Sequence, residues 1–149
     1  VLSKIHIVLF HGKGLVSRLI EFQTRGLYSH AAVLIDDTLY ESWQGVGVRK
    51  KDRWVQPTDG TVALFEVDVT AQQKTDMIRF LEKELGCPYD YLSVLRFISR
   101  RDGGDPFRWF CSELVFCAFE QADVHLFSET QGWQVPPDWL RRSVLATRV

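Results

Sequence analysis

Apolar and polar positions alternate in short runs, and each run ends at a recognisable break. Ile5-His6-Ile7-Val8-Leu9-Phe10 is brief and β-branched and reads as a strand, broken at His11-Gly12-Lys13-Gly14. Leu15, Leu19 and Phe22, flanked by Val16 and Ile20, give a helical stripe ending near Gly26. Two extended runs follow, residues 29–35 and 38–43, around the acidic pair Asp36-Asp37, a hairpin pattern. Residues 45–49 read as a further short strand or bulge, and residues 62–67 as another strand. Thr70 followed by Gln73 is a capping box. It opens a helix with Met77, Ile78, Leu81 and Leu85 inward, closed by Gly86 and Pro88. Residues 91–98 read as a second helix, 100–106 as a loop, and 111–120 as a helix with a wide apolar face. Pro136-Pro137-Asp138 starts a last short helix through Arg142. No linker, repeat or low-complexity tract divides the chain. The expected architecture is one α+β domain over residues 1–149, a small antiparallel sheet packed against helices.

Composition narrows the function classes. The 149 residues carry 18 Lys+Arg against 19 Asp+Glu, a net charge of −1, which leaves no electrostatic footprint for nucleic acid. An apolar fraction of 46% is ordinary for a folded domain and argues against disorder. Aromatic residues make up 13%, enough to line an apolar cleft or simply to fill a core. No apolar run approaches the length of a membrane span. Residues 1–7 interleave polar side chains, unlike a secretory leader, which slightly favours a cytoplasmic location. Three cysteines (Cys87, Cys111 and Cys117) do not make a disulfide framework and leave room for a reactive thiol.

Cys111 is the first candidate for chemistry, because it stands where a helix should begin. Unpaired N–H groups at a helix N-terminus favour a thiolate and can hold an oxyanion on an attacked carbonyl. The plainer alternative is a buried structural cysteine. Cys117, among Phe116, Ala118 and Phe119, reads as core, and Cys87 as part of a helix exit. A thiolate nucleophile needs a base, and the base an orienter. If the hairpin turns at Asp36-Asp37, residues whose numbers add to 73 face each other, so His30 faces Trp43 and lies diagonal to Glu41. Glu41 can then take a hydrogen bond from one imidazole nitrogen while the other addresses a nucleophile. A one-residue slip would put the pair on opposite faces. His6 reads as solvent-facing and His11 as a turn residue, since the P-loop pattern is missing. Serine-hydrolase and zinc-ligand spacings are also absent. Arg100, Arg101 and Arg108 read as a solvated basic patch.

Five segments together resemble a known family: Tyr28-Ser29-His30-Ala31-Ala32-Val33, Leu39-Tyr40-Glu41, Gly86-Cys87-Pro88-Tyr89-Asp90, Trp109-Phe110-Cys111-Ser112-Glu113-Leu114-Val115 and Pro137-Asp138-Trp139-Leu140. In this order they resemble the circularly permuted papain-like branch of the NlpC/P60 superfamily, the YiiX/YaeF-like amidases. The resemblance implies a permuted papain-like fold with Cys111 as nucleophile, His30 as base and Glu41 as orienting carboxylate. Backbone N–H groups around Ser112 would face the oxyanion, and Tyr89 and Asp90 would shape the site. The implied activity is cleavage of an amide or ester bond through a thioester, without cofactor or metal. Expected substrates are a cell-wall peptide (peptidoglycan) or an acyl lipid. A lipid acyltransferase, or a catalytically silent peptide- or lipid-binding module, are the alternatives. Relatives often carry Gly-Asp at the first strand, where this chain has Ser3-Lys4-Ile5-His6, and many are exported.

Overall fold

The alternating runs assemble into one antiparallel sheet, seen in a computed structural model that describes residues 1–11, 27–89, 111–127, 136–143 and 145–149. Strand β1 (Leu2–Phe10) is central, with β2 (His30–Ile35) on one side and β5 (Val62–Thr70) on the other. Strands β3 (Thr38–Trp43) and β4 (Gly47–Lys51) continue the sheet beyond β2, and β6 (Thr147–Arg148) pairs outside β5. The order is therefore β4-β3-β2-β1-β5-β6, and all pairings are antiparallel. The β2–β3 hairpin turns at Asp36-Asp37 in the register expected from the sequence, with Val33 opposite Tyr40 and Ile35 opposite Thr38. Asp36 takes a positive φ of 55°, a conformation that Asp tolerates better than most residues.

Helix α1 (Ala71–Glu84) follows β5 directly, and Thr70 caps it: its hydroxyl accepts from Gln73 N at 3.2 Å while Gln73 Oε1 accepts from Thr70 N at 2.8 Å. Such a reciprocal cap stabilises a helix start by about 1 kcal/mol. Helix α2 (Cys111–Gln121) begins at Cys111 itself and packs against β2 and β3. A 3-10 helix, Pro137–Arg142, ends the described helical structure. The main core joins Ile5, Ile7, Leu9, Val33, Phe65 and Val67 on one sheet face to Met77, Leu81, Leu114, Val115 and Phe119 of the two helices. The opposite face carries a smaller cluster of Val8, Ala32, Leu34 and Leu39. The molecule is thus α+β, a small antiparallel sheet with helices.

Several expectations need adjusting. Strand β1 starts at Leu2 and β5 runs to Thr70, longer than their apolar runs. Ladder pairing, not hydrophobicity, sets those ends: Leu2 pairs with Thr70. The strand expected at residues 45–49 is shifted to Gly47–Lys51, where Lys50 and Lys51 stay extended because they face Tyr40 and Leu39 across the ladder. The helices expected at residues 15–26 and 91–98, the loop at 100–106 with Arg100, Arg101 and Arg108, and Asp90 lie outside the described residues.

Candidate functional site

The site is built where β2, β3 and β4 meet the start of α2. His30 is the first residue of β2, and its entry is pinned from a distance. Asp138, fully buried in the 3-10 helix, accepts Leu27 N at 2.8 Å and Arg141 Nε at 3.1 Å. Ser29 N then donates to Phe10 O at 3.0 Å, which docks the strand start against β1. The His30 ring is held on two sides, by Phe10 with centroids 5.2 Å apart and by Trp43, edge-on at 5.1 Å and 90°. The Trp43 contact is the one the hairpin arithmetic requires.

Glu41 lies on the same face of β3 and is only 1% exposed. His30 Nε2 and Glu41 Oε2 are 2.7 Å apart, so Nε2–H donates to the carboxylate and Nδ1 is the nitrogen left over. Cys111, at the start of α2, favours the charged form of the His30 imidazole. Burial of the ring opposes its charge, but Cys111 and Glu41 outweigh burial and raise the His30 pKa to about 9. Burial likewise opposes the Glu41 carboxylate, yet His30 and Lys51 overcome it and lower its pKa to about 2. His30 and Glu41 are thus hydrogen-bonded, and Cys111 adds to the charge preference of the same imidazole. Glu41 is not the exposed strand residue that a structural role would have allowed.

Ser112 is buried directly after Cys111, and Tyr89 is buried near the end of the Gly86-Cys87-Pro88 exit. Cys111 is fully buried, and Cys117 is partly buried rather than a core residue proper. Cys117 Sγ is pushed up to about 12 by burial and by Glu113, Glu120 and Glu84. Cys87 Sγ lies 3.3 Å from Glu84 Oε2. His6 pairs with Glu66 at 3.4 Å across β1 and β5, and His11 packs against Tyr28 with the rings tilted at 37° and centroids 4.6 Å apart. Two residues at the site carry no catalytic pattern in the sequence: Arg49 and Lys51. Arg49 Nε and Nη2 reach Glu41 Oε1 at 3.0 and 2.9 Å, and Lys51 Nζ reaches it at 3.0 Å. Their only signal is strand alternation opposite a buried acid.

The chain is similar to YaeF. That Escherichia coli strain K12 protein, named Probable lipoprotein peptidase YaeF, aligns over 149 positions at 26% identity, covering 78% of this chain. The chain spans about half of YaeF, 54% of its length. Beyond YaeF, the fold matches the crystal structure of the metalloprotein yiiX from Escherichia coli O157:H7, with a TM-score of 0.72 and 16% identity over 99% of this chain and 96% of that one. No protein-family model matches the chain. Among the described residues, no group of three or more His, Cys, Asp or Glu side chains could hold a metal ion. Glu41 Oε1 is already taken by Arg49 and Lys51, and its Oε2 by His30, so these residues do not fit one.

Proposed function

We propose that this protein is a thiol hydrolase of the permuted papain-like, YiiX/YaeF-like kind, cleaving an amide or ester bond in a peptide or acylated substrate. The observation that carries the reading is the His30–Glu41 hydrogen bond at 2.7 Å, with the buried Cys111 at the first residue of a helix and favouring the charged imidazole. The peptidase name of YaeF supports the hydrolase class and the peptide substrate.

The steps follow from the geometry. In the first step His30 takes the proton of Cys111 as general base while Nε2–H stays on Glu41. Cys111 Sγ attacks the acyl carbon, and the oxygen charge that develops is met by backbone N–H groups at the start of α2, including that of Ser112. The imidazolium gives its proton to the leaving amine or alcohol as the carbon–nitrogen or carbon–oxygen bond breaks, leaving a thioester. Water then attacks the thioester with His30 as base, which releases the acid and restores the thiol. Throughout, Glu41 fixes the tautomer and stabilises the imidazolium. Tyr89 shapes the site from the segment after α1, with Asp90 assigned beside it on the family resemblance.

The test is iodoacetamide alkylation of each cysteine, resolved by peptide mapping, in wild type and His30→Ala. Cys111 should react on the order of tenfold or more faster than Cys117 near neutral pH and lose that lead without His30. Because Cys111 is fully buried, removing the ring can only ease access. A slower reaction in His30→Ala therefore reports lost activation. An equally slow Cys111 in both proteins would overturn the hydrolase reading and leave a silent binding module of the same fold.

A further inference from the structure

The Glu41 carboxylate has two oxygens, and only one serves His30. The other, Oε1, accepts from Arg49 Nε at 3.0 Å, Arg49 Nη2 at 2.9 Å and Lys51 Nζ at 3.0 Å. The ladder dictates this meeting. Glu41 pairs directly with Arg49 across β3 and β4, and Lys51, two residues further, returns to the same face. Both cations also lie over the Trp43 ring, Arg49 Cζ at 4.7 Å and Lys51 Nζ at 5.6 Å from its centroid. The same ring stands perpendicular to His30, with centroids 5.1 Å apart. The contacts close on themselves, running from His30 to Glu41, to Arg49 and Lys51, to Trp43 and back to His30.

We propose that Arg49 and Lys51 are positioning residues that hold Glu41 by Oε1 so that Oε2 stays on His30 Nε2 in both protonation states of the imidazole. Their part in catalysis rests on the hydrolase reading above; the hold on Glu41 does not. A carboxylate buried with a single histidine partner becomes an unpaired buried charge whenever that histidine gives up its proton. In the hydrolytic cycle His30 does so once per acyl transfer. Two permanent cations on the far oxygen keep Glu41 ionised and aimed during that interval. Arg49 suits the task because its planar fork puts two donors on one oxygen, and the Trp43 face fixes the plane of the guanidinium. The titratable and charged groups facing Glu41 and His30 among the described residues are Cys111 on α2 and Arg49 and Lys51 on β4.

The sign of one titration separates positioning from bystander charge. Two cations near an imidazolium, acting only through space, depress its pKa, so removing them would raise it. Cations that act by holding Glu41 in place do the reverse, because their loss frees the carboxylate from Nε2. The experiment follows the His30 imidazole by NMR, assigned by difference against His30→Ala, in wild type, Arg49→Met, Lys51→Met and the double variant. The wild-type midpoint near 9 should fall by roughly one unit in the double variant. Arg49→Lys, which keeps the charge but not the fork, should fall by part of that amount. A midpoint that rises, or does not move, overturns the proposal. Should the double variant fail to fold, Lys51→Met is read the same way, since Lys51 is 45% exposed at the end of β4. Alkylation of Cys111 in the wild type decides the hydrolase reading separately. An inert Cys111 with a falling His30 midpoint leaves the clamp standing without the enzyme.

Discussion

Helix α2 carries two cysteines six residues apart, and their surroundings differ in kind. Cys111 opens the helix, at the positive end of its dipole, and favours the charged form of the His30 imidazole. Cys117 lies about 9 Å further along the axis and roughly 240° around it, so it faces another part of the molecule. There three carboxylates, Glu113, Glu120 and Glu84, add to burial and push its thiol up to about 12. The same atom on the same helix is equipped at one position and suppressed at the other. Residue type says little about a nucleophile; the sign of the nearby charge and the position along the helix decide.

The largest effect that would break this contrast is the loss of Cys111. Cys111→Ser should abolish turnover of an activated aryl ester, while Cys117→Ser keeps it within about twofold. Equal losses would show the two thiols to be alike. His30→Ala should cost about 10²–10⁴-fold in kcat/KM, measured on the same ester. Glu41→Gln keeps the shape but removes the charge that supports the imidazolium, and it leaves Arg49 and Lys51 facing a neutral amide. A fall of about 10²-fold is expected, together with a lower melting temperature. Glu41 also sets an acid limit. Its pKa is lowered from 4.5 to about 2, so its contribution to stability is whole above 4.5 and disappears as pH falls through 2. His30 sets the opposite limit. Its pKa is raised from 6.5 to about 9, so its contribution is whole below 6.5 and disappears as pH rises through 9. Melting curves from pH 2 to 10 should lose the second contribution in His30→Ala, and ester turnover should decline over the same alkaline range. The smallest effect sharpens the contrast from the other side. Glu120→Gln removes one of the carboxylates opposing the Cys117 thiolate and should speed its alkylation roughly two- to threefold at pH 9.

Much of this site is legible in the sequence, because its key relations are local. Asp36-Asp37 sets the hairpin register, and the register alone brings His30, Trp43 and Glu41 to one face. Thr70 and Gln73 announce the start of α1 for the same reason, both halves of the cap being three residues apart. The relations that escape are carried by pairings distant in sequence or by side chains with no pattern of their own. Asp138 fastens Leu27 across more than a hundred residues, and nothing near either one foretells it. Thr147–Arg148 is too short to show a strand period and exists only because β5 offers it a ladder. Arg49 and Lys51 look like ordinary solvated strand residues until Glu41 is known to be buried opposite them. The influence of Cys111 on His30 joins two segments some eighty residues apart, which the order of motifs can imply but spacing cannot measure.

The outer side of β4 is already occupied. Val48 N donates to Cys87 O at 2.8 Å and Gly86 N to Val48 O at 2.9 Å, so the helix exit serves as a short extra rung. Gly47 makes the approach possible, for a side chain there would press its first carbon to 2.2 Å from Cys87 O. Open sheet margins recruit other chains into aggregates, and this margin is filled just where the strand bearing Arg49 begins. Gly47→Ala would expel that rung, and the first symptom would be a protein that comes out of solution.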